Sequence, residues 1–378
     1  MLLPFGHGNL ASRRHGGWGM PGSFRSTPFN EVSLGDGFFD SLREDYPGFE
    51  EWFAGKSAAG EAALVHRDDE GIGAFVYLKE ENEAVELEDG ALPALPRLKI
   101  GTLKVADRAQ GERLGERAIG LALWRWRKIG HAQVYVTVFE KHASLVGMLR
   151  KFGFSRVGAN ENGESVYVKD KRRLDYSDPY RCFPFIDPGF KDANLLVIND
   201  AFHDQLLPYS ELANQFQETL QTAAANGVTK TYIGAAASMA ASPGQPLLVY
   251  RKYTDKDGQP GLKSVITSYC LVTDVASIKH EGRELMSFEE FMRRIKNKSV
   301  FSEDELAAWY RGKRNLMVIK MVYLGYFGLG HNVNWRWLSD SGYWHAGHPN
   351  QTTYTRAEFM SILERGDVDV EALVVDQP

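Results

Sequence analysis

The stretch between Leu98 and Lys169 limits the possible folds of this 378-residue chain more than any other. Its side chains alternate between apolar and polar in two segments, as in strands, and recur at helical spacing in two others. The predicted elements are strands 98–105 and 133–139, helices 111–129 and 144–152, and a closing hairpin around 160–163. The order β–α–β–α–β–β predicts an α/β (α+β) domain.

A glycine-containing turn joins the first of these strands to the long helix. The turn reads Gln110, Gly111, Glu112, Arg113, Leu114, Gly115. Backbone N–H groups at a helix N-terminus point outward beside the positive end of the helix dipole, which favours a phosphate or pyrophosphate. Gly111 and Gly115 let a phosphate approach the backbone closely, and Arg113 would add a charge-assisted hydrogen bond. Taken alone, two glycines in a turn are weak evidence for such a site, because a plain tight turn into a helix is the more common case.

In its wider context the stretch resembles the GNAT superfamily of N-acetyltransferases. The similarity covers about residues 29–170 and includes the strand end, the signature turn and the next strand. The residues that carry it are Leu103-Lys104-Val105, Gln110 to Gly115, Val134–Phe139 and Lys151-Phe152-Gly153-Phe154. Upstream, Phe38–Leu42 and Tyr46–Phe53 are similar to the first helices of a GNAT subgroup that has a second domain behind it.

The resemblance implies a GNAT fold with a central mixed sheet and acetyl-CoA as cofactor. The backbone near Leu103 and Val105 would receive the pantetheine arm, and the amides from Gly111 to Gly115 the pyrophosphate. In this superfamily an amine attacks the thioester with no covalent enzyme intermediate, so proximity and a polarising backbone hydrogen bond supply much of the rate.

The chain departs from the family pattern at two positions. Arg113 stands where the signature has a glycine, and its side chain would either crowd the phosphates or pair with them. Leu149 stands where many members have a tyrosine that protonates the leaving thiolate. Glu140 and His142, just after the second strand, are therefore the candidate catalytic acid or base. The alternatives are that both are solvated loop residues and that a water carries the proton.

The second half resembles the PUA-like group, which includes ASCH and EVE domains. The residues that carry it lie in 244–252, 265–275 and 298–306. The resemblance implies a small β-barrel with helices, often binding RNA through aromatic and basic side chains. The candidate nucleic-acid residues are Tyr250, Arg251, Lys252, Arg293, Arg294 and Lys296. Solvated charge runs and core aromatics are the alternative interpretation.

Composition and charge limit the partners, the cellular compartment and the metal sites that can be expected. The formal net charge of −5 gives no global attraction to nucleic acid, so any such contact needs a local patch. Two lone cysteines fit a reducing cytoplasm and exclude a disulfide scaffold. His345 and His348 lack a third ligand nearby in sequence, so no metal site is expected. The predicted organisation is a flexible basic arm (1–28), the GNAT domain (29–170), a linker (171–190) and the PUA-like domain (191–378).

The function predicted from these observations is acetyl transfer to an RNA-linked acceptor, such as an aminoacyl-tRNA or a tRNA base. A toxin-like or stress effector, with a homodimer or an antitoxin-type protein as partner, is one setting for it. One alternative is an acetyltransferase for a protein or small-molecule amine, with a regulatory second half. Another is a catalytically inactive acyl-CoA sensor that binds nucleic acid.

Overall fold

The protein is described here from a computed structural model, which covers residues 24–208, 223–235, 241–255, 259–328, 330–345 and 349–375. The sequence also predicts a helix over 209–225, of which the structure describes only the last few residues. His348 and most of the N-terminal arm lie outside the described residues. Within the described ranges, no helix combines the length and the apolar character needed to cross a bilayer.

The first half contains nine strands and five α-helices in its described residues. The strands are β1 Phe24–Pro28, β2 Ala62–Asp68, β3 Gly71–Glu81, β4 Val85–Leu87, β5 Gly90–Leu92, β6 Arg97–Val105, β7 Gln133–Val138, β8 Ser155–Ala159 and β9 Ser165–Asp170. The helices are α1 Asp40–Asp45, α2 Phe49–Ala58, α3 Leu114–Ile129, α4 Ala143–Lys151 and α5 Pro179–Cys182. The order from β6 to β9 agrees with the predicted β–α–β–α–β–β. The acidic, proline-containing composition of residues 80–96 predicts a loop, whereas the structure forms the hairpin β4–β5 within this segment.

Seven of these strands form one mixed sheet in the order β1-β2-β3-β6-β7-β9-β8. β6 and β7 are parallel neighbours, while the other pairs are antiparallel. α3 and α4 pack on one face, where Trp126, Leu149 and Phe152 are fully buried. A separate aromatic cluster, which includes Phe39 and Phe53, lies around α1 and α2.

The predicted arm is shorter than expected at its C-terminal end. Phe24–Pro28 forms the edge strand β1, which pairs antiparallel with β2 from Phe24–His66 to Pro28–Ala62. The phenyl ring of Phe24 also packs near the ring of His66, with centroids 5.6 Å apart. These long-range contacts cannot be predicted from the local glycine- and serine-rich composition, which by itself favours a flexible arm.

The second half contains eight strands and eight α-helices in its described residues. The strands are β10 Asp192–Asn199, β11 Thr229–Gly234, β12 Pro246–Lys252, β13 Val265–His280, β14 Arg283–Glu284, β15 Leu316–Tyr326, β16 Val333–Asn334 and β17 Thr353–Thr355. The helices are α6 Asp200–Leu206, α7 Ala223–Asn226, α8 Pro260–Lys263, α9 Phe288–Ile295, α10 Glu303–Gly312, α11 Trp335–Asp340, α12 Arg356–Arg365 and α13 Val370–Leu373. The spacing of Ser302 and Glu305 predicts a capping box, and this capping box is present at the start of α10.

These strands form a curled sheet in the order β11-β15-β13-β12-β10-β17, with β14 and β16 attached to β13. Alternate side chains of β10, β12, β13 and β15 share one interior cluster, as in a small barrel. β10 and β11 are far apart in the strand order, yet Val197 and Tyr232 line the same cavities. The sheet therefore curves toward closure without direct pairing of β10 with β11.

The segment expected as a linker is part of the core. Phe183, Phe185 and Ile186 are at most 1% exposed, and the cluster that holds them also contains Trp126 from α3 and Tyr354 from β17. A single apolar cluster thus runs from the first half through the linker into the second. Because that cluster is shared, the two halves are held in a defined mutual position.

Candidate cofactor site and aromatic cavity

The parallel strands β6 and β7 separate part-way along their length. Their pairing runs only from Arg97–Gln133 to Ile100–Val136. The register between β3 and β6 shifts at the next residue, Gly101, because Leu78 faces Ile100 while Tyr77 faces Thr102. A bulge of this kind bends a strand and increases its twist. The rest of β6 remains paired with β3 but has no described strand on its β7 side.

The predicted signature turn lies directly beyond the free end of β6. Gly111 has a φ of +94°, a conformation that side-chain-bearing residues rarely adopt, and a Cβ placed there would meet no described atom within 4 Å. A Cβ on Gly115 would approach Met148 Cε at 3.2 Å and Val105 Cγ2 at 3.7 Å. The turn therefore leaves open space beside Gly111 and a narrow passage between α3, α4 and β6.

Several backbone amides of the turn lack a backbone acceptor. The amides of Gly111, Leu114 and Gly115 make no hydrogen bond to a described backbone carbonyl. By contrast, the amide of Arg117 donates to the carbonyl of Arg113, the residue just before α3. Unpaired amides at the start of a long helix are suited to anionic oxygens. The open cradle and these amides fit the pyrophosphate of a CoA cofactor.

The Arg113 side chain is turned away from this cradle. Its guanidinium pairs with Glu116 (Nη2 to Oε2, 3.0 Å) and donates to the Thr229 carbonyl of β11 (2.6 Å), with 7% of the side chain exposed. Glu116 Oε1 in turn accepts from the backbone and side chain of Thr229. The expected phosphate contact from this guanidinium is thus replaced by a buried ion pair that joins α3 to the second half.

The two catalytic candidates lie in different polar networks. Tyr167 of β9 donates to Glu140 (Oη to Oε1, 2.8 Å) and accepts from Arg150 of α4 (2.9 Å). Hydrogen bonds from Ser165 and Tyr167 lower the pKa of Glu140 below its usual range. An ionised carboxylate of this kind is a weak proton acceptor, so it is better suited to holding a cation than to removing a proton.

His142 has the arrangement of an oriented imidazole. Its Nε2 lies 3.4 Å from Asp45 Oδ2 at the end of α1, and 42% of the side chain is exposed. A hydrogen bond from Lys141, together with the charges of Lys141 and His142, lowers the pKa of Asp45 despite partial desolvation. Next to this pair, the ring of Tyr46 packs 5.6 Å from that of Phe139. Residues around α1 thus close over the end of β7.

The position of the missing tyrosine is apolar. Leu149 is completely buried in the core between α4 and the sheet. Its isobutyl group has no proton to give, so an enzyme built on this site must protonate a leaving thiolate in another way.

The second half contains an aromatic cavity of about 520 Å³. Its lining includes Tyr232, Tyr250, Tyr253, Trp335 and Trp344, together with Asn199, Lys252, Ser264 and Asn350. The rings of Tyr250 and Trp344 lie 5.2 Å apart, and those of Trp335 and Trp344 6.4 Å apart. The volume is in the range of small-molecule sites, and the walls combine flat rings with a few polar groups.

The six nucleic-acid candidates do not form one surface. Tyr250 and Lys252 line the aromatic cavity. Arg251 between them is 9% exposed and forms a two-pronged pair with Asp204 (Nε to Oδ1, 2.8 Å; Nη2 to Oδ2, 2.7 Å). Alternate residues of a strand point to opposite faces, so Arg251 cannot share the cavity with its neighbours.

The basic residues on and just after α9 also differ in whether they are paired or exposed. Arg294 pairs with both carboxylate oxygens of Asp274, whereas Arg293 and Lys296 are exposed. Only the exposed pair remains a candidate for contact with a polyanion. The local sequence around α9 does not show which of these basic residues is paired, because the partner Asp274 lies twenty residues earlier on another element.

Sequence reasoning missed two features of the site. Gly101 marks the separation of β6 from β7, and an isolated glycine inside a strand is a known signal for a bulge. Asn297 and Asn226 from the second half donate to the carbonyls of Gly111 (2.6 Å) and Glu112 (3.0 Å). No local pattern around either asparagine indicates this contact.

No protein-family model matches the chain, and no curated protein matches it. Solved structures that match it include nourseothricin acetyltransferase, at 21% identity over 28% of this chain, with a TM-score of 0.22. That alignment spans 62% of the acetyltransferase, less than two thirds of its length. A GNAT-family acetyltransferase from Listeria monocytogenes matches at 16% identity over 36% of this chain and 77% of its own, with a TM-score of 0.25.

A second group of matches consists of ASCH proteins. ASCH from Zymomonas mobilis is 7% identical over 46% of this chain and 94% of its own, with a TM-score of 0.29. The solved structures that the chain matches thus include GNAT acetyltransferases and ASCH proteins, the two groups that its sequence resembles.

Proposed function

We propose that the protein is an acetyl-CoA-dependent N-acetyltransferase. The observation that carries this proposal is the separation of β6 from β7 at Gly101, directly beside a glycine turn with unpaired amides. The unpaired edge of β6 at Leu103 and Val105 would hold the pantetheine arm through its backbone. The turn from Gln110 to Gly115 would hold the pyrophosphate. Bound acetyl-CoA would supply an activated acetyl thioester.

The proton chemistry of this proposal rests on His142. With Nε2 beside Asp45, its Nδ1 is the ring nitrogen left to accept a proton from the acceptor amine. Asp45 would orient the imidazole and stabilise its charged form. Glu140, ionised and held by Tyr167, would attract the ammonium form of the acceptor. With Leu149 at the usual acid position, the leaving thiolate would take its proton from water.

A matched pair of glycine variants tests the cofactor site. Gly111 and Gly130 lie at opposite ends of α3, both have positive φ (+94° and +76°), and a Cβ at either would meet nothing within 4 Å. Gly111→Ala should weaken CoA binding at least about ten-fold by calorimetry, because the new methyl group enters the phosphate cradle. Gly130→Ala carries a similar backbone strain and should retain the affinity. Wild-type affinity in folded Gly111→Ala would place the pyrophosphate elsewhere.

For the acceptor we favour an RNA-linked amine, such as an aminoacyl-tRNA or a tRNA base. The supporting observation is the aromatic cavity, since Tyr250, Trp335 and Trp344 offer faces for a base and Lys252 a charge for its phosphate. An acetyltransferase restricted to a small metabolite has no need for such a cavity in a second domain.

Transfer of labelled acetyl groups from acetyl-CoA into a bacterial extract tests the acceptor. Loss of the label on treatment with RNase or mild base would support an RNA-linked amine. Loss only with protease would identify a protein acceptor and give the second half a targeting role. CoA binding without transfer to any acceptor would favour a sensor that has lost catalysis, a reading that buried Leu149 also suits.

The proposal also includes a cytoplasmic location, a division of roles between the two halves and a cellular role. Both cysteines are buried free thiols, which is compatible with a reducing cytoplasm. We propose residues 29–170 and 191–378 as the catalytic and recruiting parts. A toxin-like role, a homodimer or an antitoxin-type partner would follow if expression arrested growth and co-expression of a neighbouring gene relieved it.

A further inference from the structure

We propose that the second half completes the cofactor site, with Lys298 acting together with Lys151 to bind a phosphate group of CoA. This inference rests on the function proposed above. It adds that the site spans both halves of the chain, so that the second half takes part in cofactor binding.

The second half reaches the signature turn directly. Asn297, in the short 3-10 turn Lys296–Lys298, donates to Gly111 O, and Asn226 of α7 donates to Glu112 O. These two bonds occupy carbonyls of the turn, whereas the amides of Gly111, Leu114 and Gly115 have no described backbone acceptor. They also place Lys298, the neighbour of Asn297, beside the turn.

Lys298 and Lys151 are two cations near this junction, and no carboxylate of the described residues is bound to either of them. Among the described residues, neither forms an ion pair or a side-chain hydrogen bond. Arg113 is neutralised by Glu116, and Lys320 lies 3.6 Å from Asp274. The ammonium of Lys151 instead lies 3.9 Å from the ring centre of Tyr180. Positive charge is therefore in excess at this point.

The protein around both amines desolvates them in part. Lys151 is solvent-exposed and Lys298 half-buried, yet burial is the main cause that lowers the pKa of each. A side chain can be both accessible and desolvated when protein walls flank it on two sides. Each also lies close enough to Arg113 for that charge to lower its pKa further.

Two unneutralised amines beside a helix N-terminus repel one another, and an anion between them removes that repulsion. Lysine is a common phosphate ligand. The CoA moiety carries a pyrophosphate and a 3′-phosphate. With the pyrophosphate on the turn amides, a second phosphate would lie within reach of residues that flank the turn.

Calorimetric titration of CoA and of dephospho-CoA, which lacks the 3′-phosphate, tests the inference. The variants are Lys298→Ala, Lys151→Ala and Lys298→Arg. Lys128→Ala, an exposed lysine at the opposite end of α3, is the control. Removing either amine should weaken CoA binding about ten-fold, while Lys298→Arg and the control should stay close to the wild type.

The two ligands show which phosphate is bound. A loss seen with CoA but absent with dephospho-CoA would place the 3′-phosphate on these lysines, and an equal loss with both would place the pyrophosphate there. Equal affinities of the folded Lys298→Ala, Lys151→Ala and Lys128→Ala variants for CoA would overturn the inference. Absence of CoA binding by the wild type would instead overturn the proposed function.

Discussion

The side-chain amide of Asn297 donates a hydrogen bond of 2.6 Å to the carbonyl of Gly111, 186 positions earlier in the chain. This bond joins the turn that precedes the long helix α3 to the second half of the protein. Together with the contacts of Arg113 to Thr229, it makes the signature turn part of an interface between the two halves. The position of the second half and the shape of the turn are therefore coupled.

Asn297 offers a first prediction. In Asn297→Ala the carbonyl of Gly111 loses its partner, which should lower stability by about 1 kcal/mol in urea unfolding. Asn297→Asp should lower the affinity for CoA more than Asn297→Ala does, because it places a carboxylate against the Gly111 carbonyl and beside the phosphate cradle. If the aspartate variant binds CoA at least as well as the alanine variant, the phosphates do not lie at this turn.

The Arg113–Glu116 pair offers a second prediction. Arg113 has a φ of 60°, which costs a side-chain-bearing residue about 1–2 kcal/mol. Its removal leaves Glu116 buried without its cation, at a cost of about 3–5 kcal/mol. We therefore expect stability to fall in the order wild type, Arg113→Gly, Arg113→Ala, as measured by urea unfolding. Equal stability of the glycine variant and the wild type would mean that the ion pair contributes no more than the backbone strain that glycine relieves.

The pH dependence of CoA affinity gives a third prediction. Burial, with the charges of Arg113, Lys151 and Lys320, lowers the pKa of Lys298 to about 8, against a smaller opposing effect of Glu116. The amine is charged below that pH and neutral above it, so CoA affinity should fall as the pH rises through 8. Lys298→Arg keeps its charge and should flatten the profile between pH 7 and 9. An unchanged slope in that variant would exclude Lys298 as the titrating group.

The Arg251–Asp204 pair gives a fourth prediction, for stability. Burial alone raises the pKa of Asp204, but hydrogen bonds from Arg251 and His203 outweigh it and hold the pKa at about 2. A carboxyl with a lowered folded-state pKa stabilises the protein above its unfolded value near 4 and loses that effect as the pH falls toward 2. Arg251→Ala should cost about 2 kcal/mol or more at pH 7 and reduce the acid sensitivity. Exposed Arg283→Ala is the control.

The aromatic cavity gives a fifth prediction, for RNA binding. Trp344→Ala removes a stacking face and should weaken tRNA binding about ten-fold at every salt concentration. Lys252→Ala removes one charge and should reduce the salt slope by about one unit. Filter binding between 50 and 200 mM salt measures both. If neither variant differs from Lys128→Ala, the cavity is not the RNA site.

Much of the first half could be predicted from its sequence. The alternation over 98–105 and 133–139 and the helical spacing after Gly111 are local patterns, and β6, β7 and α3 follow them within a few residues. The split between α1 and α2 at Pro47 also follows from local chemistry, since proline interrupts a helix.

The fates of the charged side chains could not be predicted in the same way. The sequence predicts available cations at Arg113, Arg251 and Arg294. In the folded chain each of these arginines is paired with a carboxylate. Their partners Glu116, Asp204 and Asp274 are three, forty-seven and twenty positions away. Whether a cation is available depends on which carboxylate the fold brings to it.

The sequence by itself determined the elements and the turn, because periodicity and glycine conformation are properties of neighbouring residues. Only the tertiary structure decided where β6 leaves β7, which arginines are neutralised, and that Asn297 lies against the signature turn. These features arise from contacts between residues up to 186 positions apart. Such contacts depend on how the two halves pack around their shared apolar core.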